Sequence, residues 1–549
     1  MPPSWRLFVR RALAFAVLCA LFAGCSKTSA TPGPTGEHPW TKPGVLRIGI
    51  QFEPKNLNTL LASNSTDNMI ERLIFDPLLS ADPKGNPVPV LATEVPTLEN
   101  GGISKDGLTI TYHLRKGVQF TDGAPLTSED VKFSWQAMMN DNNNVVSRHG
   151  YDEVKSIDTP DASTVVVHLK KKFAPFVNSF FAESDSPVNI VPAHLLAKFP
   201  DVNHVLFNNE PIGSGPFKLS EWVKGDHITL VANNNYFRGK PTLQQIIISI
   251  IPDENTTLSQ LRSHEIDWMF EPSYGTFPAL RSIPDVATPQ NDVNGYESLQ
   301  INTSHFPLND VQVRRALSYT IDKKKLLDSL TFGQETIATA DLPDWMWAYN
   351  KNVTVYPHDP NKAKQILLAD GWKPGAGGIL TKNGQQLSLL LVTNVGNATR
   401  RKATVLLQSM LREVGIDVQL KYFDGATLFA PAPLGILQAG KFDLSLGGFN
   451  SGIDPDDSSN YVGANIPPGG YNYTRYDSNA MNASQQVALE NYDRPTRTKA
   501  YANVEKLLSN DVPEIFFWWN RQTQAINPDL KNFDPNPVTE SWNAYQWSI

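Results

Sequence analysis

Residues 387–422, LSLLLVTNVGNATRRKATVLLQSMLREVGIDVQLKY, decide the fold class. The run 387–392 is short and almost wholly apolar, the pattern of a buried strand. After a five-residue turn, 398–414 carries Ala403, Leu407, Met410, Leu411 and Val414 at helical spacing. Gly415 stops that helix, and 416–422 alternates as a second strand. Strand, helix and strand in this order form a β-α-β crossover, which implies a parallel pair.

The same reading extends outward. Strands are expected at 45–50, 108–114, 164–169, 246–251, 266–270, 442–446 and 514–519. Lys224-Gly225-Asp226 turns 217–222 back into 228–231, a hairpin. Helices are expected at 66–75, from Thr127, after Asp253 and at 496–509. A further pair within 309–330 should meet near Asp322, and another helix should run from Asp359-Pro360 to Gly371. The chain is therefore α/β mixed with antiparallel hairpins, and large enough at 549 residues for two lobes.

Composition excludes several functions. Lys plus Arg is 48 against 55 Asp plus Glu, a net charge of −7, which argues against a nucleic-acid binder held by phosphate neutralisation. The two cysteines, Cys19 and Cys25, both lie in the first 25 residues. The body thus has no disulfide, no cysteine-ligated metal and no thiol catalysis. A body of this size can do without disulfides even outside the cell, because its core suffices.

Arg6, Arg10 and Arg11 precede the uncharged, mostly apolar run 12–23, which is too short to span a bilayer and has the length of a signal-peptide core. It ends in Phe22-Ala23-Gly24-Cys25, which resembles a bacterial lipobox with Phe22 in the usual leucine place. The expectation is a signal peptide over 1–24, lipid attachment at Cys25 and a flexible Ser/Thr/Pro/Gly tether over 25–43. Loss of the leader takes the basic residues from 48 to 45 against 55 acids, or −10.

The common catalytic motifs are absent from the sequence. The ten histidines show no His-Glu-x-x-His, so zinc hydrolysis is unsupported. Gly448-Phe449-Asn450-Ser451-Gly452 puts its serine one place late for a nucleophile elbow, and Gly239-Lys240 is followed by Pro241 rather than by the hydroxyl residue of a phosphate-binding loop. A non-catalytic binding protein is the better reading, with no cofactor and no metal.

Four blocks carry a resemblance. Residues 107–131, GLTITYHLRKGVQFTDGAPLTSEDV, resemble the signature of family 5 extracytoplasmic solute-binding proteins, the peptide- and nickel-binding components of ABC importers. Residues 211–219, PIGSGPFKL, with Trp222 and Asn235-Tyr236-Phe237, resemble a second block of that family. Residues 313–322, VRRALSYTID, resemble a third, and Asp359-Pro360 through Gly371-Trp372 a fourth. As residues, most of these read as scaffold: strand alternation, loop glycines and ion-pairing arginines.

The resemblance implies a two-lobed periplasmic-binding-protein fold of class II, in the large variant with an extra subdomain in the first lobe. The implied organisation is a first lobe over 44–297, with the inserted subdomain at about 80–207. A second lobe over 298–511 and a C-terminal return over 512–549 complete it. Ligand would lie between the lobes and be buried by hinge closure. The partners implied are a peptide or peptide-like ligand and the permease subunits of an importer with their cytoplasmic ATPases. The protein would be a monomer, extracytoplasmic or periplasmic and lipid-anchored.

In peptide binders of the family an aspartate after the strand corresponding to 442–446 pairs with the ligand's α-amino group. Aligning on Asp454-Pro455-Asp456 puts Ser451 in that place, so Asp454 is the expected substitute. Phe449, Asn450 and Tyr461 flank the same loop, and Asp456 is a further candidate. Asn56 and Asn58 follow the first strand. Asn394 and Asn397 lie at the carboxyl end of a parallel strand, where open α/β sheets bind ligands. Trp345 and Trp347 offer stacking surfaces from a proline-rich loop. Nickel and haem fit less well, for want of a histidine cluster or a cysteine. An oligosaccharide ligand or a sensory role on the same scaffold remain the alternatives.

Overall fold

The computed structural model describes residues 38–62, 64–184 and 186–549, and Pro43–Ile549 form one compact unit. The expected leader, Cys25 and most of the tether lie outside the described residues. Among the described residues no helix is long and apolar enough to cross a membrane.

Two six-stranded sheets organise the body. In the first, Val45–Ile50 lies between Gln245–Ile250 and Trp268–Met269, parallel to both. Leu46, Ile48 and Ile50 are fully buried, so the strand is flanked by neighbours on both edges and packed into the core. The hairpin Phe217–Val223 and His227–Ala232 extends the sheet on one side, and Ala525–Ile526 closes the other. Asp253 caps the helix Glu254–Arg262 by accepting from the amide of Thr256 at 2.8 Å. An inserted three-stranded sheet, Thr109–His113, Val154–Asp161 and Thr164–Leu169, packs into the same core.

The second sheet is built on Gln290–Ile301, which pairs antiparallel with Glu514–Thr523 on one side and Leu444–Asn450 on the other. Beyond the latter come Ser388–Asn394 and Asp417–Phe423, parallel to each other and joined through the helix Ala398–Glu413. The crossover is therefore present as its residues required, and Gly415 ends the helix at φ +88°, a conformation open to glycine. A separate apolar core, from Leu299 to Trp518, fills this lobe. Asp322 separates the helices Val311–Thr320 and Lys323–Thr331, capping the second.

Two expectations need correction. The second lobe's sheet begins at Gln290, inside the stretch assigned to the first lobe, and Glu514–Thr523 also belongs to it. The chain returns to the first sheet only at Ala525–Ile526. Alternation reveals a strand but not which sheet it joins. The strand expected at 442–446 is instead Leu444–Asn450, running through Gly447-Gly448. Gly448 is required there: a Cβ would lie 2.6 Å from both the Glu297 carboxylate and the Tyr296 carbonyl. Gly448 thus permits close strand pairing, whereas a Cβ on Gly447 would meet nothing within 4 Å.

Candidate functional site

Gln290–Ile301 and Glu514–Thr523 carry the chain between the two sheets, and Val293 of the first of them lines a cleft. Its inner chamber holds about 400 Å³. Asn64, Ser65, Asn68 and Ser147 face it from the first lobe, and Phe449, Asn450, Ser451 and Tyr471 from the second. An outer chamber of about 870 Å³ adjoins it, sharing Val146, Ser147 and Tyr471. Arg148, His149, Lys171 and Lys172 line the outer chamber on one side, and Ser458, Asn465 and Gln486 on the other. Both volumes are of ligand-pocket size. Polar amides and hydroxyls, with Phe449 and Tyr471 as ring surfaces, suit a solute that offers hydrogen-bonding groups and apolar parts.

Asn64 and Ser65 reach the inner chamber because they start the helix Ser65–Ile74, Asn64 accepting from the amide of Asp67 at 3.0 Å. Phe449 and Asn450 are the last residues of their strand and stand opposite Tyr296 and Gly295. The amide of Ser451 donates to the carbonyl of Asn294 at 2.7 Å, which fixes the loop as it leaves the strand.

The loop beyond Ser451 joins the lobes. The amide of Ile453 donates to the carbonyl of Glu183 at 2.9 Å. A Cβ on Gly452 would lie 2.3 Å from that carbonyl oxygen, so only glycine fits this approach. His149, from the first lobe, contacts Asp456 at 3.1 Å. Burial works to raise the Asp456 pKa, but His149 and Ser458 outweigh it and hold it below the usual value.

Asp454 is 6% exposed and held by three donors. Arg497 donates from Nη1 at 3.0 Å and from Nη2 at 2.5 Å, and Asn178 of the first lobe donates at 3.1 Å. Burial opposes the Arg497 charge, yet Asp454 and Tyr501 hold its pKa above the usual value. Asp454, expected to receive a ligand's ammonium, thus has a partner for its charge in Arg497, and with Phe449 and Ser451 it also lines a small cavity of about 30 Å³.

Other expected residues also find structural partners. Asn58 is fully buried, caps the turn Thr59–Leu61 and donates to Asn208 at 2.9 Å. Asn56 accepts from the amide of Asn58. Tyr461 is fully buried, bonded to Tyr296 at 3.0 Å and donating to Glu514 at 2.9 Å. Asn397 caps the crossover helix, and Asn394 accepts from the amide of Gly396, apart from the chambers. Trp347 lies under the guanidinium groups of Arg494 and Arg497, at 4.8 and 5.3 Å from the ring centre, and Trp345 packs on Gly85. Phe449, Asn450 and Ser451 are the expected residues that the fold brings to the inner chamber.

The first-lobe lining and Tyr471 were missed. Asn64-Ser65 carried a legible signal as a helix start just after the first strand. Among the described residues no group of three or more His, Cys, Asp and Glu side chains is placed to hold a metal ion.

Residues 86–470 match the model of bacterial extracellular solute-binding proteins, family 5. The chain belongs to that family, and its two-lobed α/β architecture is the family's. It is 28% identical over 549 residues, 97% of each chain, to the oligopeptide-binding protein AppA of Bacillus subtilis. The structure of that AppA with a nonapeptide superposes with a TM-score of 0.76 at 27% identity, covering 92% of this chain and 99% of that one. NikZ of Campylobacter jejuni in complex with Ni(L-His) gives 0.77 at 25% identity, covering 93% and 100%.

Proposed function

We propose that this solute-binding protein captures a peptide or peptide-like solute between its lobes and hands it to the permease of an ABC importer. It acts outside the cytoplasm as a lipid-anchored monomer, held through Cys25. The observation that carries the reading is the pair of joined chambers, lined from both lobes. Such a site closes by hinge motion around its ligand. The nonapeptide complex of AppA supports a peptide-sized occupant.

With Asp454 engaged by Arg497, Ser451 stands on the inner chamber without a charge. Calorimetry with a panel of free-amine and N-acetylated peptides tests the reading. Saturable binding of peptides, with Ser451→Asp strengthening the free-amine members by about tenfold, is the expected result. Failure of every peptide alongside binding of a neutral oligosaccharide would overturn the peptide assignment.

A further inference from the structure

The second lobe holds another pocket, of about 250 Å³, that shares no lining residue with the cleft chambers. That is room for roughly eight waters at about 30 Å³ each. Its walls come from the first turn of the helix Lys323–Thr331, from Ile337, Ala338 and Thr339, from residues 354–358, and from the junction of the helix Arg494–Asp511 with the following strand. Ile337 and Val355 are exposed at its mouth, at 41% and 61%. Ile321, Leu508 and Phe516 complete an apolar lining.

Two lysines line it: Lys324 is exposed and paired with Asp328, whereas Lys323 is partly buried and has no acid partner. The Lys323 ammonium donates to the carbonyl of Ala338 at 2.9 Å. Two carboxylates line the same pocket and neither is paired with it. Asp322 accepts from the amide of Lys325, and Glu514 accepts from Ser298 and Tyr461. Burial pushes the Lys323 pKa down to about 8, with no acid offsetting it. The Thr339 hydroxyl is buried in the same wall without a hydrogen-bond partner. A charge and an unsatisfied hydroxyl beside apolar walls are costly unless a ligand meets them.

We propose that this pocket binds a small amphipathic monocarboxylate, its carboxylate on Lys323 and Thr339 and its apolar part against Ile337, Val355 and Phe516. Lys324 also lines the pocket but is paired with Asp328, so Lys323 is the lysine of this lining left to meet an anion, which favours a monoanion with an apolar body over inorganic phosphate.

The probes are benzoate and hexanoate, with benzyl alcohol and inorganic phosphate as controls, titrated against the Cys25→Ala protein by ligand-observed NMR. Benzoate should saturate, Lys323→Met should weaken it by about tenfold or more, and Thr339→Val should weaken it less. Benzyl alcohol and phosphate should show no saturable binding. Benzoate should also slow trace acetylation of Lys323 relative to exposed Lys364 in the unsubstituted pocket, a readout that does not depend on the variants folding. Benzyl alcohol binding as well as benzoate, benzoate affinity unchanged in Lys323→Met, or unprotected acetylation of Lys323 would each overturn the proposal.

Discussion

Arg497 grips both carboxylate oxygens of Asp454, and Asn178 reaches the same carboxylate from the opposite lobe. The loop that sequence alignment marks for ligand recognition is thus also a fastening between lobes. Removing one partner of a buried pair costs about 3–5 kcal/mol, because the other charge is left uncompensated. Asp454→Ala should destabilise the protein by that amount in chemical denaturation. The double variant Asp454→Ala, Arg497→Met should recover a large part of it. Any loss of peptide affinity in Asp454→Ala should be equal for free-amine and N-acetylated peptides; a selective loss for the free amine would restore the acid to a ligand role.

Gly452 sets how closely the lobes approach. With a Cβ 2.3 Å from the Glu183 carbonyl oxygen, Gly452→Val should hold the lobes apart while leaving each folded. Solution scattering should show a larger radius of gyration that ligand no longer reduces, with affinity down by about tenfold or more. A variant that contracts with ligand like the unsubstituted protein would remove Gly452 from the closing surface.

Buried acids should make stability fall in alkali. Burial, then the charge of Asp341, pushes the Glu505 pKa up to about 10, and burial takes Glu514 to about 7, against 4.5 in an open chain. A folded-state pKa above the unfolded one stabilises the fold fully below about pH 4.5, and that stability is lost as pH rises toward the folded value. Each such group contributes a slope of up to about 1.4 kcal/mol per pH unit in its window. The melting temperature should fall from about pH 6 to about pH 9, and Glu505→Gln should flatten the slope. An unchanged slope in that variant would take Glu505 out of the effect.

Cys25→Ala should move the protein from the membrane to the soluble fraction, since acyl burial of about 0.8 kcal/mol per CH₂ is lost. Retention of the variant in washed membranes would contradict lipid attachment at this residue.

The scaffold was largely legible because its signals are local. Asp322, Asp359 and Asn397 cap helices where their positions before helical runs imply, and the crossover follows from three adjacent patterns. The helix Asn479–Glu490 escaped, its hydrophobic stripe being sparse. The site was less legible because its chemistry depends on distant pairing. Nothing local to Asp454 announces Arg497, 43 positions on, or Asn178 in the other lobe. Asn58 and Tyr461 are polar residues near the right loops, yet both are spent inside the core. The strand expected to end at 446 runs on through Gly447-Gly448 to Asn450.

Native mass spectrometry of the purified Cys25→Ala protein tests most directly that the cleft holds a peptide-sized solute. The expected spectrum shows added mass on part of the population, released on unfolding as peptides and restored by adding them back, with a smaller radius of gyration in the loaded form. A protein that carries no solute, takes up none from a broad peptide mixture and keeps one radius of gyration throughout would contradict capture by lobe closure.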